Sequence, residues 1–277
     1  MVRCPLFHFI LAGIAVLELN LMIASLPAQT TASSRAAATS FRVDTDVYEE
    51  GKGKKEPINQ TLTLFSNGVY YDLAIDQSRA VTVIDPLGGR IIMLDPQRQL
   101  KTTFDTAKLL AYASELKQTA AGNKEVAKLV NAASQVTELE PNKLRVGDDV
   151  LAYEATMQTP KDASMATQYA DFADWSARLN AILPPNFPPF VRMELNRQIA
   201  LRQKLPEAIY RIVKHNKHTV VYRSQLMAIG LLSTEDVNKV QMVGEMLQQC
   251  KEVEKDEFFS PQAALLNKGA SPGGNVR

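Results

Sequence analysis

Two Asp-Pro pairs constrain this chain more than any other feature. Asp85-Pro86 and Asp95-Pro96 each close a short run, Ala80 to Ile84 and Ile91 to Leu94, that is apolar at nearly every position. Proline cannot donate to a strand ladder and drives the preceding residue away from helix, so each pair stops a strand. The ten-residue spacing of the pairs is one strand plus one turn, which is the period of a meander. The surrounding stretch, Asn59 to Phe104, continues the pattern. Thr61 to Phe65 reads as a strand with Leu62 and Leu64 on one face, and Ser66-Asn67-Gly68 is a tight-turn signal. Val69, Tyr71, Leu73 and Ile75 then share a face opposite Tyr70 and Asp72, and Leu100 to Phe104 forms a weaker strand. Upstream, Phe41, Val43, Thr45 and Val47 alternate with polar residues, and the charged, Gly-containing segment Glu49 to Glu56 reads as a solvated hairpin turn. A sheet with one wet face alternates cleanly, and the two Asp-Pro strands do not, so both of their faces are expected to be covered.

The covering material follows. From Asp105 the period turns helical, with a possible cap at Asp105 or Thr106 and a stripe of Leu109, Tyr112, Ala113 and Leu116 that Gly122 ends. Val126, Leu129, Val130 and Ala133 suggest a second short helix. Strands return at Lys143 to Val146 and Asp149 to Met157, separated by Gly147-Asp148. The longest helix is predicted from Asp162 to Leu183, its stripe being Met165, Tyr169, Phe172, Trp175, Leu179 and Ile182. Four prolines in Pro184 to Pro189 enforce an extended turn, after which a helix runs from Phe190 to Gln203. Two strands, Ala208 to Lys214 and Thr219 to Ala228, flank a polar turn at His215 to His218. A last helix, Thr234 to Cys250, opens at Ser233 or Thr234 with Glu235 and Asp236 in its first turn.

The termini carry the expectations about location. Arg3, the apolar run Phe7 to Leu17 and the small residues of Ser25-Leu26-Pro27-Ala28 have the layout of a secretory signal, interrupted by Glu18 and Asn20. The expected organisation is a signal peptide over 1–28, a linker over 29–40, a single half-barrel domain over 41–255 and a disordered tail over 256–277. The expected location is therefore outside the cytoplasm, in the periplasm or cell envelope. Cleavage would remove Cys4 and leave Cys250 as the lone thiol, so no internal disulfide would hold the fold. It would also remove Arg3 and Glu18 and leave the net charge of +1 unchanged. A near-neutral chain gives no reason to expect nucleic acid as a partner. Membrane contact is expected only through an uncleaved signal.

Reactive groups are few. His215 and His218 lack the Glu and the helical spacing of a zinc-protease motif, and read as solvent-facing. Asp171 and Asp174 lie off the apolar stripe near Arg178 and read as solvated, with Asp174 and Arg178 at pairing distance along a helix. Asp85 and Asp95 read as turn caps. Ser176 has no nucleophile elbow, Pro86-Leu87-Gly88-Gly89 is a turn rather than a phosphate loop, and the Phe172 and Trp175 stripe reads as core. No catalytic residue, metal ligand or cofactor is expected, and the chain does not read as an enzyme.

The stretch Gly68-Val69-Tyr70-Tyr71-Asp72 leading into Val81-Thr82-Val83 and an apolar next strand, followed by helices and further hairpins, resembles the periplasmic lipoprotein-carrier (LolA-like) family. The resemblance spans residues 41–230. The chain departs from that family in opening its sheet without a preceding helix, in lacking a Phe-Arg-Trp strand motif, and in adding the proline turn and last helix. The resemblance implies an α+β fold: a curved antiparallel sheet, an incomplete barrel, with helices packed on its concave face. It also implies an interior that shelters acyl chains. The expected function is binding of a lipid or acylated protein, with Leu62, Leu64, Tyr71, Leu73, Val81, Val83, Ile91 and Met93 as the apolar lining. The alternative is an envelope scaffold with a solid core that binds another protein, and a hydrolase is third.

Overall fold

The computed structural model describes residues 39–51, 56–76, 78–184, 187–215 and 218–260. The signal, most of the linker and the tail beyond 260 lie outside the described residues, as do 52–55 of the first hairpin turn and Asn216-Lys217.

The elements follow the order β1 (Phe41–Glu49), β2 (Asn59–Ser66), β3 (Val69–Ala74), β4 (Val81–Asp85), β5 (Arg90–Asp95), β6 (Leu100–Asp105), α1 (Thr106–Thr119), α2 (Lys124–Ala132), β7 (Val136–Glu140), β8 (Lys143–Gly147), β9 (Leu151–Gln158), α3 (Ala163–Ile182), α4 (Phe190–Leu201), β10 (Leu205–His215), β11 (His218–Gly230), α5 (Thr234–Gln249) and β12 (Lys251–Glu252). All twelve strands form one sheet in the order β12-β6-β5-β4-β3-β2-β1-β11-β10-β9-β8-β7. The meander β1 to β6 and the strands β7 to β11 meet where β1 pairs antiparallel with β11 along its whole length. The short β12 adds in parallel to β6. The sheet is curved and unclosed, an α+β half-barrel with helices on its concave face.

Local chemistry explains the turns. Asn67 and Gly68 have φ of 53° and 76°, the paired left-handed conformers of a two-residue hairpin. At the first Asp-Pro corner, Asp85 accepts from the Gly88 backbone N–H at 2.8 Å and pairs with Arg90 at 3.1 Å. A Cβ at Gly88 would lie 2.1 Å from the Asp85 carboxylate, so the cap requires glycine there. Asp95 repeats the device, accepting from the Arg98 backbone at 3.0 Å and pairing with its guanidinium at 2.6 Å. Both aspartates cap turns, as the sequence suggests. Asp105 caps α1 by accepting from Ala107 and Lys108, and Asp162 caps α3 by accepting from Ser164.

The two faces of the sheet are covered by different helices. On the concave face, β-register aligns Phe41, Phe65, Tyr70, Ile84, Ile91 and Phe104 in one continuous row. Phe41 and Phe65 stack at 4.0 Å, and Phe172 of α3 meets Phe65 edge-on at 5.5 Å. On the other face Val81, Val83, Ile92 and Leu94 are buried beneath Val243, Met246, Leu247 and Cys250 of α5 and its C-cap. That accounts for the lack of alternation in the Asp-Pro strands.

Four details differ from the sequence reading. First, β7 was not anticipated. It is an edge strand exposed at every position, so burial leaves no mark on its sequence. Second, α5 lies on the outer face of the sheet, whereas the core helices α3 and α4 lie on the inner one. Third, the boundary expected at 255 falls inside the fold. Residues 255–260 are helical, Phe258 is buried, and Phe259 packs 6.4 Å from the ring of Phe104. Fourth, Asp174 does pair with Arg178, at 4.0 Å, but it is half-buried rather than solvated. It sits between α3 and α4, where it accepts from Asn196 at 2.8 Å and burial pushes its carboxyl above the usual range.

Candidate functional site

The concave face is solid at one end and open at the other. One register step from the aromatic row, the same face reads Ala228, Val43, Thr63, Asp72, Thr82, Met93 and Thr102. A further step gives Leu226, Thr45, Thr61 and Ala74. Large rings give way to threonines on the floor. The facing surface of α3 shrinks in parallel, from Tyr169 and Phe172 to Ala173, Ser176 and Ala177. Small side chains on both walls leave a cleft of about 430 Å³ between the sheet and α3. The proline turn closes one end through Phe187, Pro188 and Pro189, and α4 contributes Arg192. Ile209 and Arg211 of β10, Tyr222 and Ser224 of β11, and Tyr153 of β9 complete the far wall.

The cleft has three ionisable groups besides its tyrosines. Asp72 accepts from the Thr63 hydroxyl at 2.7 Å, and burial raises its carboxyl above the usual range although Thr63 and Thr61 pull the other way. Arg211 approaches two rings, its guanidinium carbon 4.6 Å from the Tyr222 centroid and 5.1 Å from that of Phe187. Arg192 approaches the Tyr153 ring at 5.9 Å and donates to the Tyr169 hydroxyl at a long 3.5 Å. Burial raises both the Tyr153 and Tyr169 phenols, opposed at Tyr153 by Arg192 and Arg211 and at Tyr169 by Arg192. Tyr153 thus stands between the two arginines.

The residues expected to line an interior come together away from the cleft. Leu62, Leu64, Tyr71, Leu73, Val81 and Val83 share the outer face by register, and Tyr71, Leu73, Val81 and Val83 belong to the cluster under α5. Ile91 and Met93 do face inward, but Ile91 is fully buried in the filled part of the core and Met93 packs against it. None of the eight borders the cleft. The floor is instead built from the face of Tyr70 and Asp72. The readable signal was the change along β1 and β2 from Phe41 and Phe65 to Thr45, Thr61 and Thr63. Threonine is a common strand former, so that change looks ordinary in one dimension.

The other candidate groups do not assemble. His218 is exposed, and the His215 side chain is outside the described set. Ser176 borders the cleft, but its hydroxyl donates to the Phe172 carbonyl at 2.9 Å. Asp171 accepts from the Tyr70 hydroxyl at 2.8 Å, tying α3 to β3. Cys250 is buried as the C-cap of α5. Among the described residues no group of three His, Cys, Asp or Glu side chains could hold a metal ion, and no helix is long and apolar enough to cross a membrane. Compared with protein-family models and with curated proteins, the chain matches none.

Proposed function

We propose that this chain is an exported, non-enzymatic protein that binds a lipid or acylated ligand in the cleft between the half-barrel and α3. The observation that carries the reading is the cleft itself: about 430 Å³, walled by Phe172, Phe187, Ile209 and Leu226. That volume lies in the range of small-ligand sites, and these apolar side chains alternate with polar ones, Thr45, Asn59, Thr61, Asn180 and Ser224 among them, a mixed wall that suits an amphiphile. The resemblance of the strands around Gly68 to Asp72 to the lipoprotein carriers supports the same reading, as does the signal-like layout of residues 1–28.

Native mass spectrometry of the protein purified from its own compartment tests both parts. The expected spectrum shows a chain shortened near residue 28 with a co-purifying lipid. A full-length chain would count against cleavage of the signal. Absence of lipid, together with no binding of a fluorescent fatty acid, would remove the carrier reading.

A second reading rests on β7. An edge strand exposed at every position, Val136 to Glu140, offers unpaired backbone to an added strand from another protein. Deleting 136–140 with retention of lipid binding and loss of a pulled-down envelope partner would favour that role.

A further inference from the structure

Arg192 and Arg211 are the two cations of the cleft, and the carboxylate that acts on Arg192, Asp174, is itself engaged by Asn196. Neither has a carboxylate within ion-pair distance among the described residues, whereas Arg42, Arg90, Arg98, Arg145, Arg178, Arg197, Arg202 and Arg223 each have one. Both side chains are nonetheless half-buried, Arg211 beside the Tyr222 and Phe187 rings and Arg192 beside the Tyr153 ring. Arg192 Nη1 and Arg211 Nε are buried and make no hydrogen bond among the described residues. An ionised group so placed is costly unless something pairs with it, and native structures rarely leave such donors unpaired. A guanidinium held against aromatic rings still carries several N–H donors in a planar fork, which is the group suited to gripping a carboxylate or phosphate.

The neighbourhood adds to this. α4 begins at Pro189 with no side-chain cap, and Pro188, Pro189 and Arg192 all border the cleft, so the positive end of that helix lies at the same place. The single carboxylate on the cleft wall, Asp72, is already engaged by Thr63. The cleft therefore offers donors and positive charge at the end formed by Arg192, Arg211 and Tyr153. It offers apolar wall where Phe172, Ile209 and Leu226 stand.

We propose that the cleft selects an amphiphile with an anionic oxygen headgroup, a carboxylate or a phosphate, bound by Arg192 and Arg211 with its apolar part along α3. This rests on the lipid-binding reading and adds to it the charge and position of the headgroup.

The test is competition against a fluorescent fatty acid with three probes: dodecanoic acid, dodecanol of the same chain length, and inorganic phosphate. The acid is expected to bind at least about tenfold more tightly than the alcohol, the size of effect that charged hydrogen bonds give. Arg192→Gln and Arg211→Gln should each remove most of that preference, read as the ratio of acid to alcohol affinity within the same variant. Arg211→Lys, which keeps the charge and loses the fork, should retain part of it. Thermal unfolding verifies that each variant is folded, and the lysine variant keeps the test open if a glutamine variant is not. Equal binding of acid and alcohol, unaffected by the arginine variants, overturns the headgroup assignment and leaves lipid binding standing. No binding of either amphiphile overturns the lipid reading itself. Binding of inorganic phosphate alone, lost in Arg192→Gln, overturns the amphiphile assignment in favour of a plain anion site.

Discussion

Among single residues, Asp72 and Asp236 show opposite uses of a buried carboxylate. Burial dominates at Asp72 and raises its carboxyl, so the folded protein holds that proton more tightly than the unfolded chain. The favourable contribution is complete below the unfolded value, roughly pH 3.9, and is lost as pH rises through the folded value. Asp72→Asn, which keeps an oxygen to accept from Thr63, should therefore raise the thermal midpoint at pH 7. The gain should vanish as the pH is lowered into the ordinary carboxylate range, and a midpoint gain that is independent of pH would show that charge is not the cause. At Asp236, burial alone would raise the carboxyl, but bonds from Ser233 and the charge of Arg42 outweigh it and hold it low. This residue closes the capping box of α5 and pairs with Arg42 at 3.1 Å. Its contribution is present above the ordinary carboxylate range and is lost as pH falls through the folded value. Asp236→Ala should cost about 2 kcal/mol at pH 7 by chemical denaturation, since it removes a cap and one partner of a half-buried arginine.

Elements were the most readable level of this chain. The Asp-Pro stops, the Asn67-Gly68 turn and the long stripe from Met165 to Ile182 are each local chemistry, and the corresponding strands and helix stand close to where the residues put them. What local chemistry does not carry is which face a helix covers. The residues of α5 form an amphipathic helix wherever it docks. Only the tertiary fold shows that Val243 meets Val81, Val83, Ile92 and Leu94 on the outer face. The same limit hid β7, which is held by pairing with β8 rather than by burying side chains. Because α5 and the cleft lie on opposite faces, their roles should separate. Val243→Ala should destabilise the protein by about 2 kcal/mol, the cost of emptying a buried valine site. It should leave fatty-acid affinity unchanged within a factor of about two, less than 0.5 kcal/mol. A large loss of affinity in a folded Val243→Ala protein would mean that the two faces are coupled.

At the level of the whole molecule, the half-barrel divides into a filled seam and an open cleft, and the division follows side-chain size across strands. The row from Phe41 to Phe104 is large at every position, so α3 packs onto it through Phe172 without leaving room. The rows through Thr63 and Thr61 are small, and α3 answers with Ala173, Ser176 and Ala177. Reading one strand at a time picks the most apolar positions as a lining, and those positions are apolar because they are packed solid. The cleft becomes visible only when register places residues from β1, β2, β10, β11 and α3 side by side, and the two arginines without a carboxylate partner become visible only with it. The most direct test is a fluorescent fatty-acid titration of Ser176→Trp, which puts an indole into the cleft from the middle of α3. Lipid binding in this cleft predicts a folded protein whose affinity falls by at least about tenfold, or 1.4 kcal/mol. A folded Ser176→Trp protein that binds the probe as tightly as the parent would contradict it.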